Sequence, residues 1–332
     1  MEHLTEMQRY KISWMLENNF SKTKIASDLG VSRSTVHREL RRNSNRKSRR
    51  YDPALAHEKY KKRMREKPKR VRFTDEMKQF AREKLVKKQW SPEQISGRCN
   101  LEGIDMVSHE TLYRWIYSAR GSDSHLRENL RHRGRKRQKR ANKNDYRGLI
   151  PNRRDIAERP AEVDSRLRIG DIEVDTVVGR GRSGNIVTMV DRTSGFLWAS
   201  LVPTLESSVV CRAVVQTLAP FKPILHTLTF DNGREFSHHQ AVADALGTDN
   251  FFTKPYHSWE KGSVENANGL LRQYFRKGSS FLNLSHDDIR RVCLLINHRP
   301  RKRFGFRTPF EIFSIYLHHQ FNLSPTPEVL HL

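Results

Sequence analysis

Two acids in the second half of the chain, Asp231 and Glu265, each stand where a short apolar segment meets a glycine-containing loop. No other feature limits the possible folds as much. The first lies in Leu228-Thr-Phe-Asp231-Asn-Gly-Arg-Glu-Phe236, the second in Tyr256-His-Ser-Trp-Glu-Lys-Gly-Ser-Val-Glu265-Asn-Ala-Asn-Gly-Leu-Leu-Arg-Gln-Tyr-Phe275. A strand over 226–230 runs into Asp231-Asn-Gly233, which in isolation reads equally well as a hairpin turn. The helical spacing of Ala241, Val242, Ala245 and Leu246 before Gly247 instead puts Asp231 at a strand-to-helix crossover, the edge where open α/β sheets bind ligands. A further strand over 250–254 leads through Pro255 to a helix with Ser263 as its expected N-cap. Val264, Ala267, Leu271 and Tyr274 form its buried stripe, and Glu265, Asn268 and Arg272 share an adjacent polar face. A glutamate in a first turn also serves as a partner for the helix dipole. Around this one, Asn266, Asn268, Arg272 and Arg276 are groups suited to phosphate.

Upstream, Asp171-Ile-Glu173-Val-Asp175-Thr-Val-Val-Gly179 alternates, with Ile172, Val174 and Thr176 on one face and Asp171, Glu173 and Asp175 on the other. The segments 185–190 and 196–202, joined by a turn at Asp191–Gly195, read as a hairpin, which would make the alternating strand central. A central strand does not carry unpaired carboxylates without a reason such as a metal. Val210, Val214 and Leu218 mark a helix over 207–218.

The N-terminal part has a different character. Of 332 residues, 62 are Lys or Arg and 37 Asp or Glu, a net charge of +25, so the surface attracts a polyanion, nucleic acid first. Between Leu4 and Arg42, apolar positions at helical spacing, N-caps at Ser21 and Ser32 and a turn at Gly30-Val31-Ser32 predict three short helices. The last two form a helix-turn-helix that offers Arg33, Ser34, Thr35, His37 and Arg38 to a major groove. The phrase recurs at Ser91-Pro-Glu-Gln-Ile95 and Ser108-His-Glu-Thr-Leu-Tyr-Arg-Trp-Ile116, with a longer turn holding Gly103. This predicts a second helix-turn-helix, with His109, Thr111 and Arg114 toward DNA and Trp115 and Ile116 in the core. Basic runs at 41–50 and 131–140 suit phosphate neutralisation or solvated linkers. Cys99, Cys211 and Cys293 lie too far apart for a disulfide framework or zinc finger, which fits a reducing cytoplasm. The N-terminus lacks a signal core, and no run approaches the roughly 18 apolar residues of a membrane span. The expected domains are 1–50, a helix-turn-helix; 51–130, a basic connector and the second such unit; 131–160, a basic linker; and 161–332, the carboxylate domain.

Acids converging from distant positions at strand ends and a helix start are what a pair of divalent ions needs to activate water or a 3′ hydroxyl and steady a leaving oxygen. Asp175, Asp231 and Glu265 fit, with Asp171 and Glu173 as rivals for the first position. From Asp175 to Phe313 the chain resembles DDE transposases of the insertion-sequence-thirty family. The shared motifs are Glu173-Val-Asp175 with Gly179; Thr227–Phe236; Pro255-Tyr256, Trp259 and Gly262; Glu265–Phe275; and Asn297–Gly305 with Thr308-Pro309. The thirty-three residues between Asp231 and Glu265 match that family's interval. The resemblance implies an α/β ribonuclease-H-like catalytic domain, as in retroviral integrases, with a mixed five-stranded sheet and flanking helices, preceded by all-α helix-turn-helix domains. It implies that Asp175, Asp231 and Glu265 bind Mg2+, with Mn2+ as a substitute, and favours Asp175 over its rivals. It further implies that the paired helix-turn-helix units recognise terminal inverted repeats and that the enzyme cleaves and transfers strands; Asn268, Arg272, Arg299 and Arg301 are the DNA contacts expected in this domain. The partners are double-stranded repeat and target DNA, with no membrane. Two ends brought together require a homo-oligomer, at least a dimer, in a prokaryotic cytoplasm at the nucleoid. Lys261 stands where the family has Arg, keeping the charge, and Val264 where it has Asn, removing a hydrogen-bonding group near the site; neither touches a proposed ligand. The competing reading is a non-catalytic or decayed DNA-binding regulator of the same element. A serine or tyrosine recombinase, which needs a covalent nucleophile, ranks third.

Overall fold

The computed structural model describes residues 3–44, 50–66, 73–131, 150–182, 184–254 and 257–321, in two compact units, Met1–Arg72 and Phe73–Leu332. The basic runs at 45–49 and 132–140, and the Pro255-Tyr256 motif, lie outside the described residues.

In the first unit, α1 (Glu6–Glu17), α2 (Lys22–Asp28) and α3 (Arg33–Asn43) enclose Ile12, Met15, Ile25, Ala26 and Val36. Thr5, Ser21 and Ser32 each cap a helix by accepting a backbone N–H three residues on. Gly30 makes the turn with φ +66°, which a side chain would resist. The unit runs past the boundary expected at residue 50, because α4 (Pro53–Glu66) packs against α1 with Ala56 fully buried. That junction is polar. Arg9, 2% exposed, donates to Glu39 Oε1 (2.8 Å) and to the Leu4 carbonyl (2.7 Å), and stands 3.2 Å from His57 Nδ1 of α4.

The second unit opens with α5 (Asp75–Lys87), α6 (Pro92–Leu101) and α7 (His109–Ser118) around Ala81, Leu85, Ile95, Cys99, Leu112 and Ile116. Ser91 and Ser108 cap α6 and α7, and Gly103, φ +70°, begins the turn between them, as the repeated phrase predicts.

A six-stranded sheet follows, in order β1 (Arg154–Asp155), β6 (Asp249–Phe252), β5 (Thr227–Phe230), β2 (Asp171–Val178), β3 (Asn185–Asp191), β4 (Leu197–Val202). The strands from β2 through β5 and β6 to β1 run parallel, and β2, β3 and β4 are antiparallel. Five strands were expected. The sixth, β1, is two residues long, too short for a period of two to register, and lies in the stretch read as linker, where Ile150 also joins the core. The short α8 (Glu162–Ser165) precedes β2. One face of the sheet is covered by α9 (Ser207–Leu218), α10 (His239–Leu246) and α13 (Pro309–Phe321). The other is covered by α11 (Gly262–Tyr274) and α12 (His286–Asn297). Ile172 and Val174 face the first layer, so Asp171, Glu173 and Asp175 face the second. The three cysteines are free thiols, and among the described residues no helix is long and apolar enough to cross a membrane.

The second helix-turn-helix is fixed to this sheet domain through the loop before α13 and the first turn of that helix. Arg98 grips Glu311 with two bonds of 2.7 Å, and Gln94 donates to the Pro300 carbonyl at 2.8 Å. Lys302 reaches Glu93, and the Phe306 ring lies against Gly97 where a side chain would stand.

Candidate active site

The three acids of β2 have separate fates. Asp171 is buried and held by Arg168 Nε (3.0 Å) and the Thr227 hydroxyl (2.8 Å). Glu173, fully buried, accepts from Arg192 Nη1 (2.7 Å) and from the Val264 N–H (2.8 Å). Both are committed to partners within the fold, as buried carboxylates must be. Asp175, 21% exposed, is the acid of this strand that opens to the site.

In the parallel pair β2–β5, Asp171 is opposite Thr227 and Glu173 opposite Thr229. Continued by two residues, that register sets Asp175 opposite Asp231 at adjoining strand ends. The buried Lys261 ammonium lies between them, 3.6 Å from Asp175 Oδ1 and 3.8 Å from Asp231 Oδ2, and donates to the Val174 carbonyl at 2.9 Å. Asp231 Oδ1 also accepts from the Gly233 N–H (3.0 Å). Burial pushes the Asp175 carboxyl above its ordinary range, and the Asp231 charge adds to this while Lys261 opposes it.

Helix α11 begins at Gly262, not after Ser263. The expected cap residue is inside the first turn with its hydroxyl buried and unpartnered, and Glu173 takes up the Val264 N–H in its place. One turn on, Asn268 donates to Asp175 Oδ2 at 2.8 Å, which directs that face of the helix at the two aspartates. Glu265 is three residues earlier on the same face and is exposed. Its carboxylate is not drawn in with the pair: among the described residues no three His, Cys, Asp or Glu side chains stand close enough to hold a metal ion.

Sequence reasoning missed two groups here. Glu235, four residues past Asp231, accepts from the Thr176 hydroxyl (3.1 Å), and its pKa is raised, first by burial and then by Asp231 and Asp175. Only its place within the Asp231 motif signalled it. Lys261 was noted as a departure from the family and turns out to be the cation between the aspartates. Val264, the other departure, buries its side chain in the core beneath the sheet and leaves the site untouched.

The integrase core domain family matches residues 168–258, ending before Glu265, and a helix-turn-helix domain family matches residues 1–43. The transposase for insertion sequence element IS4351 of Bacteroides fragilis is 44% identical over 94% of this chain and 96% of its own length. Transposase InsI for insertion sequence element IS30A of Escherichia coli is 32% identical over 94% of this chain and 83% of its own. The chain belongs to the IS30-type DDE transposases. The transposase for insertion sequence element IS1086 of Cupriavidus metallidurans is 30% identical over 94% of both chains. Among solved structures, the catalytic core domain of BIV integrase overlaps 46% of this chain and 97% of that one at 21% identity, with a TM-score of 0.36.

An integrase-type transposase core is a nucleotidyl-transfer domain and calls for a divalent metal. The donor set here fits one: adjoining hard carboxylate oxygens, partly desolvated, already gathered around a positive charge.

The positions expected at DNA divide. Arg33, Ser34, His37 and Arg38 are exposed on α3 of this transposase, and Thr35 is half-buried beside the Ser32 cap. His109 and Arg114 are exposed on α7, with Thr111 half-buried. Arg272 donates to the Val178 carbonyl at 3.0 Å. Arg299 is not at the surface. It is 2% exposed, bonded to Gln94 (3.0 Å) and Gln273 (2.6 Å), and so ties α6 to α11 instead of offering itself to DNA. Arg301 is half-buried and donates to the Ile296 carbonyl at 3.2 Å.

Proposed function

We propose that this chain binds the terminal inverted repeats of its insertion sequence through both helix-turn-helix units and cuts and joins DNA strands at Asp175, Asp231 and Glu265. The observation that carries the reading is the pairing of Asp175 with Asp231 around one buried ammonium, beneath the helix face that bears Glu265. These carboxylates would hold Mg2+, or Mn2+ in its place, and the ion supplies activation of a water or 3′ hydroxyl and charge for the departing oxygen. Asn268 orients Asp175, Lys261 holds the two aspartates together, and Glu173 fixes the start of the helix that brings Glu265. The partners are repeat and target DNA in the cytoplasm of a prokaryote, and handling two ends at once calls for at least a dimer.

The test is cleavage of a duplex carrying the repeats, with Mg2+ or with EDTA. Asp175→Asn, Asp231→Asn and Glu265→Gln should each lower the rate by about 10³-fold, ~4 kcal/mol in the barrier, while binding the duplex as wild type does. Asp171→Asn should cut normally once folded. Wild-type cleavage by any of the first three removes that residue from the site. A wild-type protein that binds and never cuts is the regulator reading.

A further inference from the structure

Beyond Asn268, α11 borders a cleft of about 370 Å³ whose facing wall is the turn that closes the second helix-turn-helix. Gln89, Asn129 and Arg131 line one side, and Gly269, Arg272 and Arg276 the other. Glu128 is the one carboxylate lining it, against Arg131, Arg272, Arg276 and Lys277. Among the described residues, four guanidiniums in and beside the cleft bond neutral acceptors. Arg131 donates to Asn266 Oδ1 (3.1 Å), Arg272 to the Val178 carbonyl (3.0 Å), Arg299 to two glutamines and Arg301 to the Ile296 carbonyl. Arg272 Nη1 is buried with no partner among the described residues.

Burial pushes Arg299 down to about 10 and Arg301 to about 9, and the charge of Arg131 adds to both. A guanidinium keeps its proton regardless, so burial leaves these charges costly to hold and an anion beside them would offset that cost. Among the described residues no carboxylate bonds these four arginines. Gly269 makes the crossing possible, since a Cβ there would stand 2.9 Å from Arg131 Nη2. From Glu265 to Arg272 is about 10 Å of helix, about three nucleotide steps at ~3.4 Å each.

We propose that this cleft seats a backbone phosphate of the bound DNA, about three nucleotides from the phosphodiester being cut, held between the second helix-turn-helix and α11. The proposal rests on the strand-cutting reading for its position along the strand. It gives the cleft a use beyond affinity: the two walls grip one phosphate only when the reading helix and the carboxylate site engage the same duplex.

The test uses the full chain and a duplex that the wild-type protein has selected from a random library, with methylphosphonate replacing one phosphate at a time. Binding of wild type should weaken by about tenfold at one phosphate, about three steps from the cut. In the double variant Arg131→Gln, Arg276→Gln that same replacement should cost nothing further, and the slope of log K against log salt should shrink by about 0.9. Arg276 is exposed and neither change removes an ion pair among the described residues, so melting temperature should hold or rise. A flat profile in wild type, or an equal penalty in the variant, overturns the proposal. Cleavage of the unmodified duplex is scored alongside. Cutting with a flat profile removes the phosphate seat and spares the catalytic reading; a peaked profile without cutting keeps the seat and removes that reading.

Discussion

The two helix-turn-helix units come from one sequence phrase and are built into the molecule in opposite ways. The first closes on itself, with α4 as a lid and the Arg9–Glu39 pair, also reached by the Tyr51 hydroxyl, inside. The second turns α6 outward against the loop before α13, through Arg98–Glu311, Gln94–Pro300 and Phe306 over Gly97. Counted from the shared isoleucines Ile25 and Ile95, Ser27 matches Gly97 and Asp28 matches Arg98. What is an exposed serine and a surface acid in one unit is a ring contact and a bidentate clamp in the other. A motif's sequence therefore specifies its own helices, and a few positions on its outer face decide whether it stands as a module or is fastened to the sheet domain.

The largest expected effect is in the first unit. Arg9→Ala leaves Glu39 buried without its partner, a loss of about 3–5 kcal/mol. In calorimetry of the full chain, the transition of the first unit should fall and that of the second stay; a common shift would mean the units are not independent. Next is Gly97→Val, which drives a side chain into the Phe306 ring and should cost about 1–3 kcal/mol, lowering the second unit's transition alone. Arg98→Gln should cost about 1 kcal/mol, discounted because the Glu311 side chain is 35% exposed. The Arg98 bond holds the Glu311 carboxyl below its ordinary 4.5, so this contribution is complete above about pH 4.5 and is lost as pH falls through the lowered value. Melts of wild type and Arg98→Gln should then draw together as pH falls below about 4.5 and separate fully at pH 7. Smallest is Ser27→Val, the counterpart of Gly97→Val, which should stay within about 0.5 kcal/mol. A large loss there would erase the contrast between the units.

Much of this was legible in the chain because it is local. The serine caps of the two helix-turn-helix units, their glycine turns, the alternation of β2 and the hairpin after it depend on neighbours a few residues away, and these form as the pattern predicts, whereas Ser263 does not cap α11. What escaped depends on distant partners. Alternation puts Asp171, Glu173 and Asp175 on one face and stops there; Arg168, Thr227, Arg192 and the Val264 N–H then occupy the first two. The helix over 53–66 reads as a basic connector because its hold on α1 is one alanine and polar contacts to Arg9. Arg299 reads as a surface cation because no short window reveals that Gln94, 205 residues away, will bury it. Spacing singles out Glu265 as a candidate, while its distance from the aspartates depends on how α11 is seated.

That seating comes down to Glu173, whose carboxylate receives Val264 on one oxygen and Arg192 on the other. A glutamine there can accept on one side only and must turn its NH2 toward one of two donors. For a gene of a transposable element, this sets a trap for anyone counting live copies. A copy with Glu173→Gln would still display Asp175, Asp231 and Glu265 in order and at the right interval, yet the helix carrying the last of them would have lost its mooring. On the function proposed above, surveys of such copies should score the mooring residue with the three acids, or they will count silent genes as working ones.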